Sequence, residues 1–402
     1  MKKKIISIFL LSLILFNPYS YGVYTTFPIW SDLDDTIEVN SSATVENFLN
    51  LESEGAILIE QSSGDVLFEK NSHKQLRPAS VTKVMSILLI MEAIDRGEIQ
   101  LADSVSCSET ARQMGGSQIW LDETETLTVE EMLKAICVVS ANDCTVAMAE
   151  HISGSEEIFV QKMNERAKEL GMNDTTFKNC HGIDEDGHLT SCHDIGIMSR
   201  ELLNNHPEIT NYTTIWMDSL RDGKSELVNT NKLIRTYDGA TGLKTGSTSL
   251  ALYNLSASAT RNDVSLIAVI MRAPTAKTRF NEAKKLLDYG FANYVCKKIA
   301  SQNDVIKTIS VSKGIESSIN AIFPEDISIL TKKGNENITQ EIYLPDNLNA
   351  PINKGDIIGY VEFKLNNETI KKVDIISDSE VKASTLWNIT STLYNDWFNL
   401  LR

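Results

Sequence analysis

Two apolar periodicities divide the chain. Short apolar runs at Ala56–Glu60 and Asp65–Glu69, separated by Ser62-Ser63-Gly64, predict a β-hairpin. From Ser80 to Arg96 the spacing turns helical, and Gly97 supplies a stop. Val129–His151 reads as a second helical region and Ile158–Leu170 as a third, closed by Gly171. Between Gly242 and Ala273 the pattern becomes extended. LYNLSASA and VSLIAVIMRA flank Arg261-Asn262-Asp263 and predict two antiparallel strands. Thr278–Tyr289 is helical again. Beyond about residue 300 the segments VIKTISV, ISILTKK, EIYLPD, DIIGYVEFKL and KKVDIIS are short, β-rich and separated by turn residues. They predict a separate small all-β domain over 300–378.

The two ends follow other rules. Lys2, Lys3 and Lys4 precede an apolar stretch from Ile5 to Phe16, which Asn17 and Pro18 break. Ser20 and Gly22 offer the small residues of a cleavage site, and twelve apolar residues are short for a bilayer span. Residues 1–22 are therefore expected to be a secretory signal peptide, with an uncleaved anchor as the alternative. Residues 23–45 are acidic and polar and read as a leader ahead of a core beginning near 46. At the other end, over 380–402, Leu386, Ile389, Leu393, Trp397 and Leu400 recur at spacings of three and four, widened by Trp387, Tyr394, Phe398 and Leu401. Such a helix suits either a membrane interface or the protein's own surface. Counted from Asp378, the acids Asp378, Glu380 and Asp396 outnumber the bases Lys382 and Arg402, so attachment would rest on apolar burial rather than on attraction to anionic lipid.

Composition narrows the class. The chain has 402 residues, 42% of them hydrophobic and 23% charged, with five Trp, eleven Tyr and twelve Phe, which excludes a mainly disordered chain. The formal charge is −16, and loss of residues 1–22, with three Lys and no acid, takes it to −19; no nucleic-acid partner is expected. Export would place the six Cys where disulfides are permitted, with pairing unreadable from sequence.

Three short motifs carry candidate chemistry. Pro78-Ala79-Ser80-Val81-Thr82-Lys83 opens a helix, which sets Ser80 and Lys83 one turn apart on a shared face. A serine hydroxyl needs a base, and Lys serves only if its pKa falls by roughly three units, about 4 kcal/mol. Alone the pattern is weak: Ser310-x-x-Lys313 and Ser379-x-x-Lys382 also match, and a capping Ser beside a solvated Lys is the bland alternative. Ser140-Ala141-Asn142 follows sixty residues on, and Lys244-Thr245-Gly246, which occurs once, begins a strand of the predicted hairpin.

In this order, S-x-x-K, S-x-N and K-T-G resemble the penicillin-binding proteins and serine β-lactamases. PASVTK, VVSANDC, NCHGIDEDGHLTS, GLKTGSTS and APTAKTRFNEAKKLLDYGF are similar to the low-molecular-mass D-alanyl-D-alanine carboxypeptidases of the penicillin-binding protein 5 type, over about residues 50–295. Weaker similarity continues through APINKGDIIGYVEF into the tail. The resemblance implies an α/β (α+β) catalytic domain over 46–295, an antiparallel sheet flanked by helices, followed by the small β domain and an amphipathic anchor helix on the outer face of the cell membrane. It implies a peptidoglycan stem peptide ending in D-Ala-D-Ala as substrate, β-lactams as covalent inhibitors, and neither metal nor organic cofactor. By position, Ser80 would be the nucleophile, Lys83 its base and Ser140 a proton relay. Asn142 would bond the substrate peptide, Lys244 and Thr245 its terminal carboxylate, and the N–H groups of Ser80 and Ser247 would form the oxyanion hole.

The chain departs from the family's habit after K-T-G, with Ser247 in place of an aromatic or His and Leu250 and Leu252 further along. That places the departure at the rim of the site. Cys180-His181, His188 and Cys192-His193, with Asp184 and Asp186, imitate a metal cluster but lack zinc spacing. Cys137 and Cys144 are expected to be buried thiols. Two rivals remain. A β-lactamase would use Glu169 of ELGMN, which otherwise reads as a helix end before Gly171. A non-catalytic wall-binding scaffold would keep the fold without the chemistry.

Overall fold

The structure is a computed structural model that describes residues 49–335, 337–388, 390, 394 and 397. The expected signal peptide and leader lie outside the described residues, as do residues 389, 391–393, 395, 396 and 398–402 of the tail.

The chain enters through β1 (Gly55–Glu60) and β2 (Val66–Lys70), the expected hairpin. A 3₁₀ turn, Ala79–Thr82, runs into α1 (Lys83–Asp95). A small two-stranded ribbon, β3 (Ser104–Ser106) with β4 (Thr126–Thr128), precedes α2 (Val129–Val138). Thr128 and Glu131 start α2 with a reciprocal capping box. Then come α3 (Asn142–Ser153), α4 (Glu156–Glu169) and α5 (Cys192–Asn205), a hairpin β5 (Met217–Leu220) and β6 (Ser225–Val228), and the long strands β7 (Ala240–Thr248), β8 (Leu252–Arg261) and β9 (Val264–Ala273). Helix α6 (Ala276–Asn293) closes this part.

The main sheet is antiparallel, in the order β2-β1-β9-β8-β7, with β7 at its edge. Both faces are covered, which explains why β1 and β9 read as continuous apolar runs rather than alternating ones. Ile57, Ile59, Ile267, Val269 and Met271 face the core shared with α1–α5. Ala56, Leu58, Leu266, Ala268 and Ile270 face a second core, which Phe280, Leu286 and Leu287 of α6 complete.

Between Tyr294 and Ser377 the regular structure is all β. Strands β10 (Tyr294–Ala300) and β13 (Ile327–Lys332) pair as a ribbon. They pack with a six-stranded sheet made of β11 (Val305–Ser312), β12 (Ser318–Ile322), β14 (Ile338–Tyr343), β15 (Asn347–Asn349), β16 (Ile357–Leu365) and β17 (Glu368–Ser377), in the order β14-β16-β17-β12-β11-β15. Ile309, Ile329, Val361, Phe363 and Ile375 form its core.

The expected helix Val129–His151 is in fact two. Val138 ends α2, Ser140 adopts a left-handed backbone (φ 66°), and α3 starts at Asn142. Apolar periodicity runs through the break, so the pattern concealed it. The K-T-G motif sits inside the long edge strand β7 rather than at its start.

Candidate active site

Ser80 sits in the tight turn that leads into α1 and is partly exposed. The preceding Ala79 has φ 50°, an uncommon backbone for a residue with a Cβ, and three neighbours hold it there. Asn254 of β8 donates through Nδ2 to the carbonyls of Arg77 (2.8 Å) and Pro78 (2.9 Å). Gly246 of β7 lies so close that a Cβ would stand 2.8 Å from the Pro78 oxygen and 2.9 Å from the Ser80 nitrogen. Gly182 has φ +90°, and a Cβ there would fall 2.0 Å from the Ala79 oxygen. Thr82 ties the turn from within: its hydroxyl donates to the Ala79 carbonyl at 2.8 Å. His188 accepts from the Lys178 N–H at Nδ1, so Nε2 carries the proton and donates to Thr82 Oγ1 at 2.8 Å. Burial lowers the His188 pKa to about 4, which keeps this neutral tautomer in place.

Lys83 is the centre of the site and is 0% exposed. Its Nζ lies 3.1 Å from Ser80 Oγ, 2.5 Å from Asn142 Oδ1 and 2.7 Å from the His181 carbonyl oxygen. Desolvation holds its pKa well below the usual lysine value, and the nearby Lys244 charge pushes the same way. A neutral amine has two N–H groups and one lone pair. The two carbonyl oxygens can only accept, so they take the two N–H groups, and the lone pair faces the Ser80 hydroxyl, which can donate. The base is thus aimed by its other partners.

Ser140 and Asn142 come from the break between α2 and α3. Ser140 is 3% exposed, and its Oγ has no hydrogen-bond partner among the described residues. A buried hydroxyl left open in this way is a mark of function. Asn142 is committed at both ends of its amide, accepting from Lys83 and donating through Nδ2 to the Gly115 carbonyl at 2.6 Å. It holds the base as well as facing the cleft, which sharpens the reading of it as a substrate ligand alone. The next residue, Asp143, is fully buried and accepts from the N–H groups of Ile119, Leu121 and Cys144.

Strand β7 brings the third motif. Lys244 is 1% exposed and, among the described residues, donates only to the Thr245 carbonyl, at 3.1 Å. Burial lowers its pKa to about 7, and the Arg279 charge adds to the effect. An arriving carboxylate would restore its proton. Thr245 Oγ1 donates to Thr230 Oγ1 at 2.8 Å, which adds a second hydroxyl beside it. Ser247 is exposed on the same strand, one residue past the glycine that abuts Ser80. Arg279 of α6 donates to the Gly246 carbonyl at 3.0 Å and to that of Asn254 at 3.2 Å, pinning β7 and β8 from behind.

The structure therefore joins Ser80, Lys83 and Asn142 by direct contact. Gly246 carries Lys244, Thr245 and Ser247 to the same turn. Sequence reasoning gave no role to Asn254, Arg279, Asp143 or Thr230, although Asp143 lies in VVSANDC and Arg279 in APTAKTRFNEAKKLLDYGF. Gly182 was legible as part of NCHG, though not its reason. The rival features have other work. His181 accepts from the Ile183 N–H at 3.1 Å, Cys192 packs beneath Gly55, and Glu169 pairs with Arg166 at 3.2 Å on the surface. Cys137 and Cys144 are buried free thiols, as expected.

This is the fold of a serine acyl-transfer enzyme, with a buried lysine in contact with a serine at its site. The D-alanyl-D-alanine carboxypeptidase family description matches residues 40–275, and that of the penicillin-binding protein 5 C-terminal domain matches residues 294–383. The chain belongs to the D-alanyl-D-alanine carboxypeptidase family. It is 44% identical over 351 residues to D-alanyl-D-alanine carboxypeptidase DacF of Bacillus subtilis (strain 168), a match covering 86% of this chain and 90% of the relative. Among solved structures it resembles penicillin binding protein 5 from Haemophilus influenzae, with TM-score 0.72 and 32% identity over 83% of this chain and 98% of that one. Penicillin-binding protein D2 from Listeria monocytogenes, in an ampicillin-bound form, matches with TM-score 0.56 and 29% identity over 60% of this chain and 98% of that one.

Proposed function

We propose that the chain removes the terminal D-alanine from peptidoglycan stem peptides through an acyl-enzyme on Ser80. The observation that carries this is the buried Lys83 amine, its N–H groups occupied by Asn142 and His181 and its lone pair on the Ser80 hydroxyl. Ser80 Oγ attacks the carbonyl carbon between the two D-alanines, and its proton passes to Lys83 Nζ. The oxyanion meets the N–H groups of Ser80 and Ser247. The C–N bond then breaks, and the leaving amine takes a proton through Ser140 as D-alanine departs. Water hydrolyses the ester and returns the proton to Ser80. Lys244, Thr245 and Thr230 hold the terminal carboxylate. In a β-lactam the same attack opens the ring, but the amine stays tethered, so the ester persists.

Incubation with an acyl-D-Ala-D-Ala peptide should release D-alanine, and labelled penicillin should mark the wild type but not Ser80→Ala. A folded protein that takes no label would leave the scaffold reading. Rapid turnover of penicillin would favour the β-lactamase.

The reading extends to place. The apolar N-terminal stretch supports export, and exposed Leu386, Trp387, Tyr394 and Trp397 support a tail lying in the outer face of the cell membrane. Among the described residues, no helix is long and apolar enough to cross a membrane. Flotation of the full chain with lipid vesicles, and its loss on truncation after residue 383, tests the anchor.

A further inference from the structure

Beside the Ser140 turn the structure holds a hollow of about 610 Å³ that the proposed chemistry does not use. One wall is the loop around Trp120 and the other is the β5–β6 hairpin, with Val139, next to Ser140, at its floor. Trp120 is 75% exposed, the indole standing free at the rim. Its backbone is left-handed (φ 56°), a conformation that costs a bulky residue energy and persists only where surroundings impose it. The imposing group is Asp143, whose buried carboxylate captures the N–H groups on either side of Trp120, those of Ile119 and Leu121, at 3.1 Å each. Arg221 ties the second wall to the first. It donates to the Ile119 carbonyl at 2.9 Å and forms a two-pronged pair with Glu125. The frame is thus rigid, and it presents an indole that is 75% exposed.

Two charged side chains on the hairpin side, Lys224 and Glu226, line the same hollow and form no ion pair among the described residues. An uncovered ring with an unpaired cation and an unpaired anion is complementary to an aliphatic chain that ends in both a carboxylate and an ammonium. Val139 of its lining precedes Ser140, and Ser117, next to Gln118 of its wall, accepts from the Asn142 N–H at 2.7 Å, so the hollow borders the segments that carry Ser140 and Asn142. We propose that it is a subsite for a diamino-acid side chain of a peptidoglycan stem peptide, with Trp120 stacking on the methylenes, Lys224 facing the carboxylate and Glu226 the ammonium. The inference rests on the carboxypeptidase reading and adds a preference to it. The side chain can come from the stem being cut or from a second stem cross-linked to it.

The test compares kcat/KM on a blocked acyl-D-Ala-D-Ala peptide, a pentapeptide stem whose third residue is a diamino diacid, the same stem with lysine there, and a cross-linked stem dimer. Wild type should prefer the diamino diacid. Trp120→Ala should cut that preference about tenfold, the loss of one stacked aromatic contact. Lys224→Gln should erase the difference between diamino diacid and lysine stems. Loss of preference on the single stem assigns the hollow to the strand being cut, and loss only on the dimer assigns it to the cross-linked strand. Equal losses on all substrates, or none, overturn the subsite. Binding of the same pentapeptide to Ser80→Ala, with and without Trp120→Ala, is read by calorimetry and needs no turnover. Weakening of about tenfold supports the subsite even if the wild type releases no D-alanine, a result that would instead overturn the proposed reaction; unchanged binding rejects the subsite.

Discussion

The helix-and-sheet region and the C-terminal β region spend their interiors differently. Between residues 49 and 293 the interior holds Lys83, Lys244, Asp143, Asn142, Asn254 and Glu282, all at most 3% exposed. In the β region the described buried polar residues are Thr331 and Ser377, neither of them charged. Burying a charge or an amide costs stability unless partners are supplied, so a fold that does it repeatedly in one place is arranged around chemistry. The β region instead follows period-two patterning over an apolar core, with ion pairs such as Lys307–Asp346 left in solvent. Rate and recognition belong to the first region, and the second is free to serve as a spacer.

The sharpest way to break this contrast is to remove the base. Lys83→Ala should lower penicillin acylation of Ser80 by about 10² to 10⁴, the range for a positioned general base. Full acylation would mean that the amine is structural. Gly182→Ala and Gly355→Ala set the two regions against each other at matched backbone angles. The first would drive a Cβ into the Ala79 carbonyl at φ +90°, whereas the second, at φ +88°, meets nothing within 4 Å. Thermal unfolding should show a loss of ~3 kcal/mol or more for Gly182→Ala and only ~1 kcal/mol for Gly355→Ala. Equal losses would show that close approach to the nucleophile turn is not what requires the glycine.

Titration sharpens the comparison further. In the proposed reaction Lys83 acts as the unprotonated amine, and burial holds its pKa well below the usual lysine value, so kcat/KM should rise with pH through a range well short of that value. Lys244 acts as the cation, and in the free enzyme its pKa is about 7, so kcat/KM should fall again as pH climbs above that point. Lys244→Arg should push the descending limb to higher pH, because a guanidinium keeps its proton. An unmoved limb would detach Lys244 from carboxylate binding. The smallest effect belongs to the solvent-exposed pair in the β region: Lys307→Ala should change stability by less than about 1 kcal/mol.

Much of this was legible in the sequence, for reasons that can be named. The β1–β2 hairpin, the β8–β9 pair and the all-β region follow from local periodicity and turn residues. Ser80 and Lys83 share a helical turn, so their encounter is a local property too. The break at Ser140 was hidden because apolar spacing continues across it. The partner that aims Lys83 is the main-chain carbonyl of His181, and a carbonyl has no residue identity to read. Asn254 lies 176 residues from the Pro78 carbonyl that it holds, and no single-chain pattern announces such a pairing. Trp120 looked like any aromatic until its backbone angle and exposure were known.

Sealing the base beneath Asn142 and His181 also shuts out dissolved ions. Mobile ions weaken a field only where they can reach it, over a screening distance of roughly 8 Å at physiological salt. The encounter of the Lys83 amine with Ser80 should therefore proceed alike in dilute buffer and in brine.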